Sequence, residues 1–76
     1  MTLDEASALV RLRCEQRLGH LGEIRMLSNE WTVGVALLLA NKRRATVTCD
    51  PQDAIDDPVR MADDMASCLL EWHAKL

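Results

Sequence analysis

The chain contains no phenylalanine and no tyrosine, and its only aromatic residues are Trp31 and Trp72. Any core must therefore be built from Leu, Val, Ile, Met and Ala. The platforms on which single-stranded nucleic acid usually stacks are missing. Gly19, Gly22 and Gly34 are too scattered to form a loop that cradles phosphate. The longest apolar run, Val33 to Ala40, is far shorter than the roughly 20 residues that cross a bilayer. There are no internal repeats, low-complexity tracts or linkers. Cys14, Cys49 and Cys68 are odd in number and show no short paired spacing, unlike the even disulfide sets of small secreted domains. Reduced thiols and a cytoplasmic location are the expectation. The start, Met-Thr-Leu-Asp-Glu, is acidic and lacks the basic residues and apolar run of a signal peptide.

What is present is enough for one packed domain. The 76 residues are 49 % hydrophobic, which argues against disorder. A chain this short buries only roughly 60 % of its unfolded surface, so its stability should be modest. The organising stretch is Trp31 to Cys49. Trp31, Val33, Val35, Leu37 and Leu39 recur at period two, as do Ala45, Val47 and Cys49. Period-two apolar residues share one face of a pleated strand. The polar, basic connector Asn41-Lys42-Arg43-Arg44 lies between the two runs and predicts a hairpin. Glu23 to Leu27 alternates in the same way and predicts a short preceding strand.

Both flanks read as helices. Thr2-Leu3-Asp4-Glu5 has the spacing of a capping box, with Glu5 reaching back to the Thr2 amide. The helix it opens should end at about Leu18, with Gly19 as a left-handed cap. Its apolar stripe is Leu3, Ala6, Leu9, Val10, Cys14 and Leu18. Asp50-Pro51 and Asp57-Pro58 each place an N-cap acid before a proline at the first helical position. A single turn should follow Pro51, and a long helix should run from Pro58 to about Lys75. That helix would bury Val59, Ala62, Met65, Ala66, Leu69 and Trp72. The expected fold is α+β: a helix, three antiparallel strands and a helix, with both helices on one face of the sheet. On this reading Trp31 and Trp72 are core residues, and truncating either to Ala should cost about 3–5 kcal/mol. The other sheet face would carry Arg25, Leu27, Thr32, Gly34, Ala36, Leu38, Arg44, Thr46 and Thr48.

No catalytic constellation emerges. Zinc sites show close Cys or His pairs. Here Cys68 and His73, five apart on a helix, fall on different sides. Asp64 shares a helix face with Cys68, and an acid beside a thiol suppresses the thiolate that a nucleophile needs. No enzyme activity, cofactor or metal is expected. Charge is the more informative property. Residues 1–49 hold seven bases and five acids, a balance of +2, whereas residues 50–76 hold two bases and seven acids, a balance of −5. Asp53, Asp56, Asp57, Asp63, Asp64 and Glu71 form an acidic surface on this reading. Acids near a helix start complement its dipole, but Asp63 and Asp64 lie beyond the first turn, where that effect has faded.

The inferred order and length are similar to those of the double-stranded-RNA-binding domain, which places two helices on one face of a three-stranded sheet. That family meets phosphate with a basic cluster at the start of its second helix. Here the same place reads Asp56-Asp57-Pro58-Val59-Arg60-Met61-Ala62-Asp63-Asp64, which repels phosphate. In size, acidity and lack of catalytic residues the chain also resembles the small inhibitors that bacteriophages encode against host nucleic-acid machinery, anti-CRISPR proteins among them. That resemblance implies a non-enzymatic protein-binding module. Its partner would be a protein with a basic surface, such as a nucleic-acid-processing complex, with Asp53, Asp56, Asp57, Asp63, Asp64 and Glu71 as the contact residues. No direct nucleic-acid or membrane contact is expected. The alternatives are a self-associating accessory subunit, a homodimer using the open sheet face or a strand edge, and an atypical module of the double-stranded-RNA-binding kind.

Overall fold

A computed structural model describes all 76 residues. The order is α1 (Leu3–Leu18), β1 (Glu23–Met26), β2 (Val33–Leu38), β3 (Arg44–Cys49), α2 (Pro51–Asp56) and α3 (Pro58–Ala74). The strands form one antiparallel sheet in the order β1-β2-β3. In register, Glu23 lies opposite Leu38 and Met26 opposite Val35, while Val33 lies opposite Cys49 and Leu38 opposite Arg44. The expected α+β fold and its antiparallel meander are therefore present.

The helices begin where the capping residues place them. The Thr2 hydroxyl accepts from the Glu5 amide, Asp50 accepts from the Gln52 amide, and Asp57 accepts from the Arg60 amide. Glu5 closes its end differently from expectation, because its carboxylate accepts from the Thr2 hydroxyl and not from the Thr2 amide. The end of α1 also differs. Gly19 is right-handed, with φ −59° and ψ −26°, so the helix unwinds through a turn and does not reverse at a left-handed glycine. Both glycines of this turn are required by space: an added Cβ would sit 2.5 Å from the Glu15 carbonyl oxygen at Gly19 and 2.2 Å from the Leu38 carbonyl oxygen at Gly22. The chain leaves α1 by passing close against β2.

The core lies between the sheet and the two long helices. Val10, Cys14 and Leu18 from α1 meet Ala62, Met65, Ala66 and Leu69 from α3 over Ile24, Val35 and Leu37. A second, smaller cluster joins Ala6, Val33 and Ala54, so α2 closes the end of the sandwich. Ala6 meets Ala54, and eight residues further along, the Cys14 thiol donates to the Ala62 carbonyl. The C-terminal helices therefore advance in step with α1. The buried residues of α1 are spaced by four, and the first three, Ala6, Val10 and Cys14, are small, which lets α3 approach closely. Leu9 and Val59, expected on the buried stripes, are exposed, because those stripes are narrower than a full apolar face.

The largest correction concerns Trp31. It is 79 % exposed, and β2 begins two residues later. The Asn29 side chain accepts from the amides of Trp31 and Thr32, and the Asn29 amide donates to the Thr32 carbonyl. This turn breaks the alternation before it reaches Trp31. Trp72 is half-buried against the core. At the other hairpin, Lys42 donates to the Leu39 carbonyl and Leu39 donates to the Arg43 carbonyl, closing a tight turn with Lys42 at φ 68°. A Cβ in that left-handed region is strained by about 1–2 kcal/mol.

Two outcomes follow for urea unfolding. Leu37→Ala and Leu69→Ala should each destabilise by about 2–5 kcal/mol, whereas Trp31→Ala should change stability by no more than about 0.5 kcal/mol. Lys42→Gly should raise the unfolding free energy by about 1 kcal/mol or less, and with it the urea midpoint, because relief of the strained φ outweighs the added freedom of the unfolded chain.

Candidate functional site

The six acids singled out above do not form one surface of equivalent charges. Asp53 and Asp56 lie on α2, Asp57 at the joint between α2 and α3, and Asp63, Asp64 and Glu71 along α3. The corner around α2 concentrates exposed carboxylates, because Asp50, Asp53, Asp56 and Asp57 fall within eight residues. Two of them serve the backbone as helix caps, Asp50 for α2 and Asp57 for α3. Asp56 accepts from the Gln52 side chain at 2.8 Å. Asp53, Asp56, Asp57, Asp64 and Glu71 take part in no ion pair, whereas Asp63 does.

Asp63 is turned toward α1. Arg13 Nε donates to its Oδ1 at 2.9 Å and Arg13 Nη2 to its Oδ2 at 3.4 Å. Arg17 Nη1 donates to Asp63 Oδ1 at 3.2 Å and to its main-chain carbonyl at 3.1 Å. One carboxylate thus holds two guanidinium groups from successive turns of α1. The hydrogen bond from Arg13 is the main cause that holds the Asp63 carboxyl below its ordinary value, and the same contact raises the pKa of Arg13. Arg13 and Arg17 lie off the apolar stripe of α1, and nothing in the sequence pairs them with Asp63. Their spacing of four puts them side by side, but a partner 50 residues away has no local signature.

Asp64 and Glu71, seven residues apart, share the outer face of α3. Arg60 and Lys75 flank them at intervals of four, so this part of the helix is charged with both signs. The basic hairpin tip, Lys42, Arg43 and Arg44, lies at the far end of β2 and β3 from α2. An open cleft of about 620 Å3 adjoins it, floored by Leu21, Leu38 and Leu39 and rimmed by Glu23, Lys42 and Arg44. Its lining holds no thiol, hydroxyl or imidazole; its polar side chains are the carboxylate of Glu23, the amine of Lys42 and the guanidinium of Arg44.

The thiols occupy three different settings. Burial pushes Cys14 up to about 11. Cys49 is raised first by burial and then by Asp53 and Asp50. Both shifts oppose thiolate formation. Cys68 is exposed on α3. No three His, Cys, Asp or Glu side chains converge as a metal-ligand set. No helix is long and apolar enough to cross a membrane.

The open sheet face is lined in rows by Leu27, Gly34 and Thr48, by Arg25, Ala36 and Thr46, and by Glu23, Leu38 and Arg44. Ala36 is only 4 % exposed although no layer covers it, because it lies between the longer side chains of Arg25 and Thr46. Gly34 makes room for Leu27, whose Cβ would be 3.2 Å from a Cβ at position 34. In comparisons with protein-family models, curated proteins and solved structures, the chain matches none.

The Asp63 clamp has a defined pH signature. The folded-state pKa lies below the ordinary 3.8, so the contribution is complete above that pH and is lost as pH falls through the folded value. Asp63→Asn should lower the melting temperature at neutral pH. The gap between wild type and this variant should then close as pH is taken below 3.8, read by circular dichroism melts.

Proposed function

We propose that this chain is a small, non-enzymatic protein-binding module whose acidic C-terminal third engages a basic surface of a partner protein. The observation that carries this reading is the set of exposed carboxylates that join no ion pair: Asp53, Asp56 and Asp57 around α2, and Asp64 and Glu71 along α3. Unpaired charges of one sign attract an oppositely charged surface at long range and speed the encounter. Asp63 contributes as the anchor that sets the position of α3 on α1, not as a free contact. A partner surface that normally holds nucleic acid has the complementary charge. The resemblance in size and acidity to phage-encoded inhibitors of the anti-CRISPR kind supports the same reading, in which the module competes with DNA or RNA for that surface inside the cell.

The test uses Asp53→Lys, Asp56→Lys and Asp64→Lys together, which spares the capping residues Asp50 and Asp57 and the Asp63 clamp. A partner recovered from lysate is titrated with wild type and with the triple variant at two salt concentrations. Each exposed pair contributes roughly 0–1 kcal/mol, so the combined reversal should weaken binding by about tenfold and flatten its salt dependence. Unchanged affinity and salt slope would remove the acidic surface from the interaction.

A further inference from the structure

The sheet has two free edges, and they differ. In the β2–β3 hairpin the Leu39 amide donates to the Arg43 carbonyl. Alternation along an antiparallel ladder then directs the main-chain groups of Ala45, Val47 and Cys49 toward β2. Those of Arg44, Thr46 and Thr48 point outward, and all three residues are exposed. On the opposite edge the Leu27 amide donates to the Gly34 carbonyl, which leaves Ile24 and Met26 pointing outward; Ile24 is only 6 % exposed. β3 has no proline, and after Arg44 at its first position it carries no charge, so it has few of the usual devices that keep an edge strand from pairing.

The helix above this edge is also unfinished. Ala62 and Asp63 turn toward α1. At 100° per residue, Met61, Cys68 and Trp72 fall on the opposite side of α3, away from α1. Met61 and Trp72 are half-buried, and Cys68 is exposed.

We infer that β3 is a dimerisation edge, to which a second copy of this chain adds antiparallel about a two-fold axis at Thr46. In that register Thr46 faces its own symmetry mate, and Arg44 faces Thr48 of the second copy. The three pairs exchange about six main-chain hydrogen bonds. Ala45 comes opposite Val47, so the half-buried row under α3 continues across the axis. One step beyond the strand, Lys42 comes opposite Asp50, with Asp53 following on α2. The basic hairpin tip of each copy thus meets the acidic start of α2 in the other, twice by symmetry. Parallel addition would instead set one basic tip against the other, so charge selects the antiparallel arrangement. A stable pair hides on the order of 1,200 Å2 or more, beyond what two edge strands bury alone, and the Met61, Cys68 and Trp72 side of α3 supplies the remainder. This goes beyond the acidic-surface reading, and its test requires no other protein.

Sedimentation equilibrium of the wild-type chain across the micromolar range should show a dimer that weakens as salt rises. Thr46→Lys brings two ammonium groups together at the axis and should weaken the dimer by about tenfold, with unchanged circular dichroism. In a Cys49→Ser, Cys68→Ser background, Thr46→Cys should form a cross-linked dimer under mild oxidation. A bonded antiparallel pair sets its Cα atoms about 5.5 Å apart, within disulfide reach. Thr48→Cys should not cross-link, because its opposite number is Arg44. A wild-type monomer throughout the range would overturn the inference. So would a dimer that survives Thr46→Lys, or one in which Thr46→Cys fails to cross-link. An edge that binds only extended peptides of another protein would give the first of these results.

Discussion

The central strand is the constraint on which the rest of the structure depends. β2 is paired along both edges, and its first five residues, Val33 to Leu37, are buried. Val33, Val35 and Leu37, with Ile24 of β1, supply the sheet side of the two core clusters, so residues of α1, α2 and α3 all pack against this strand. The neighbours of β2 complete its burial on the uncovered face. Arg25 and Thr46 flank Ala36, and Leu27 lies over Gly34. A larger residue at position 34 would press on Leu27, while Gly22 gives the chain its close approach to the other end of the strand. Short side chains at these points allow a sheet of only three strands to be compact.

The helix layer is assembled on a different principle. α1 and α3 meet through the small side chains of Val10, Cys14, Ala62 and Ala66, which bring the backbones close, and through the larger Leu18, Met65 and Leu69, which bury most of the area. Beside that contact, Asp63 gathers Arg13 and Arg17 from two turns of α1. The pairing is solvent-accessible and so contributes modestly to stability. Its consequence is positional. It fixes the rotation of α3, which turns Asp64 and Glu71 outward and leaves Met61, Cys68 and Trp72 on the side away from α1. The same contact removes Asp63 from the group of free acids. The exposed acidic surface is thereby shifted toward α2, where the two capping aspartates also hold the backbone in place.

The charge division along the chain becomes spatial in the folded protein. The basic residues Lys42, Arg43 and Arg44 sit at one end of β3, and Asp50 and Asp53 sit at the other. A strand that is basic at one end and acidic at the other is complementary to itself when reversed. That property links the edge of the sheet to the acidic corner.

Much of this architecture was legible in the residues alone. The period-two runs at Val33 to Leu37 and at Ala45 to Cys49 determined two strands, because alternate residues of a pleated chain must share a face. Thr2, Asp50-Pro51 and Asp57-Pro58 determined the helix starts, because a capping oxygen and a fixed proline φ act within one turn. Such local rules failed where a competing local bond or a distant group took over. The Asn29 side chain captured the Trp31 and Thr32 amides, so the apolar alternation ended short of Trp31 and left it in solvent. Leu9 and Val59 fit an apolar stripe, but burial requires a facing element, and the close α1–α3 contact covers less than the stripe's full width. The partners of Asp63, the exposed main-chain groups of Arg44, Thr46 and Thr48, and the side of α3 beside them were decided only by tertiary structure. Each depends on which elements become neighbours across some 20 to 50 residues of chain, and no spacing within a single element encodes that.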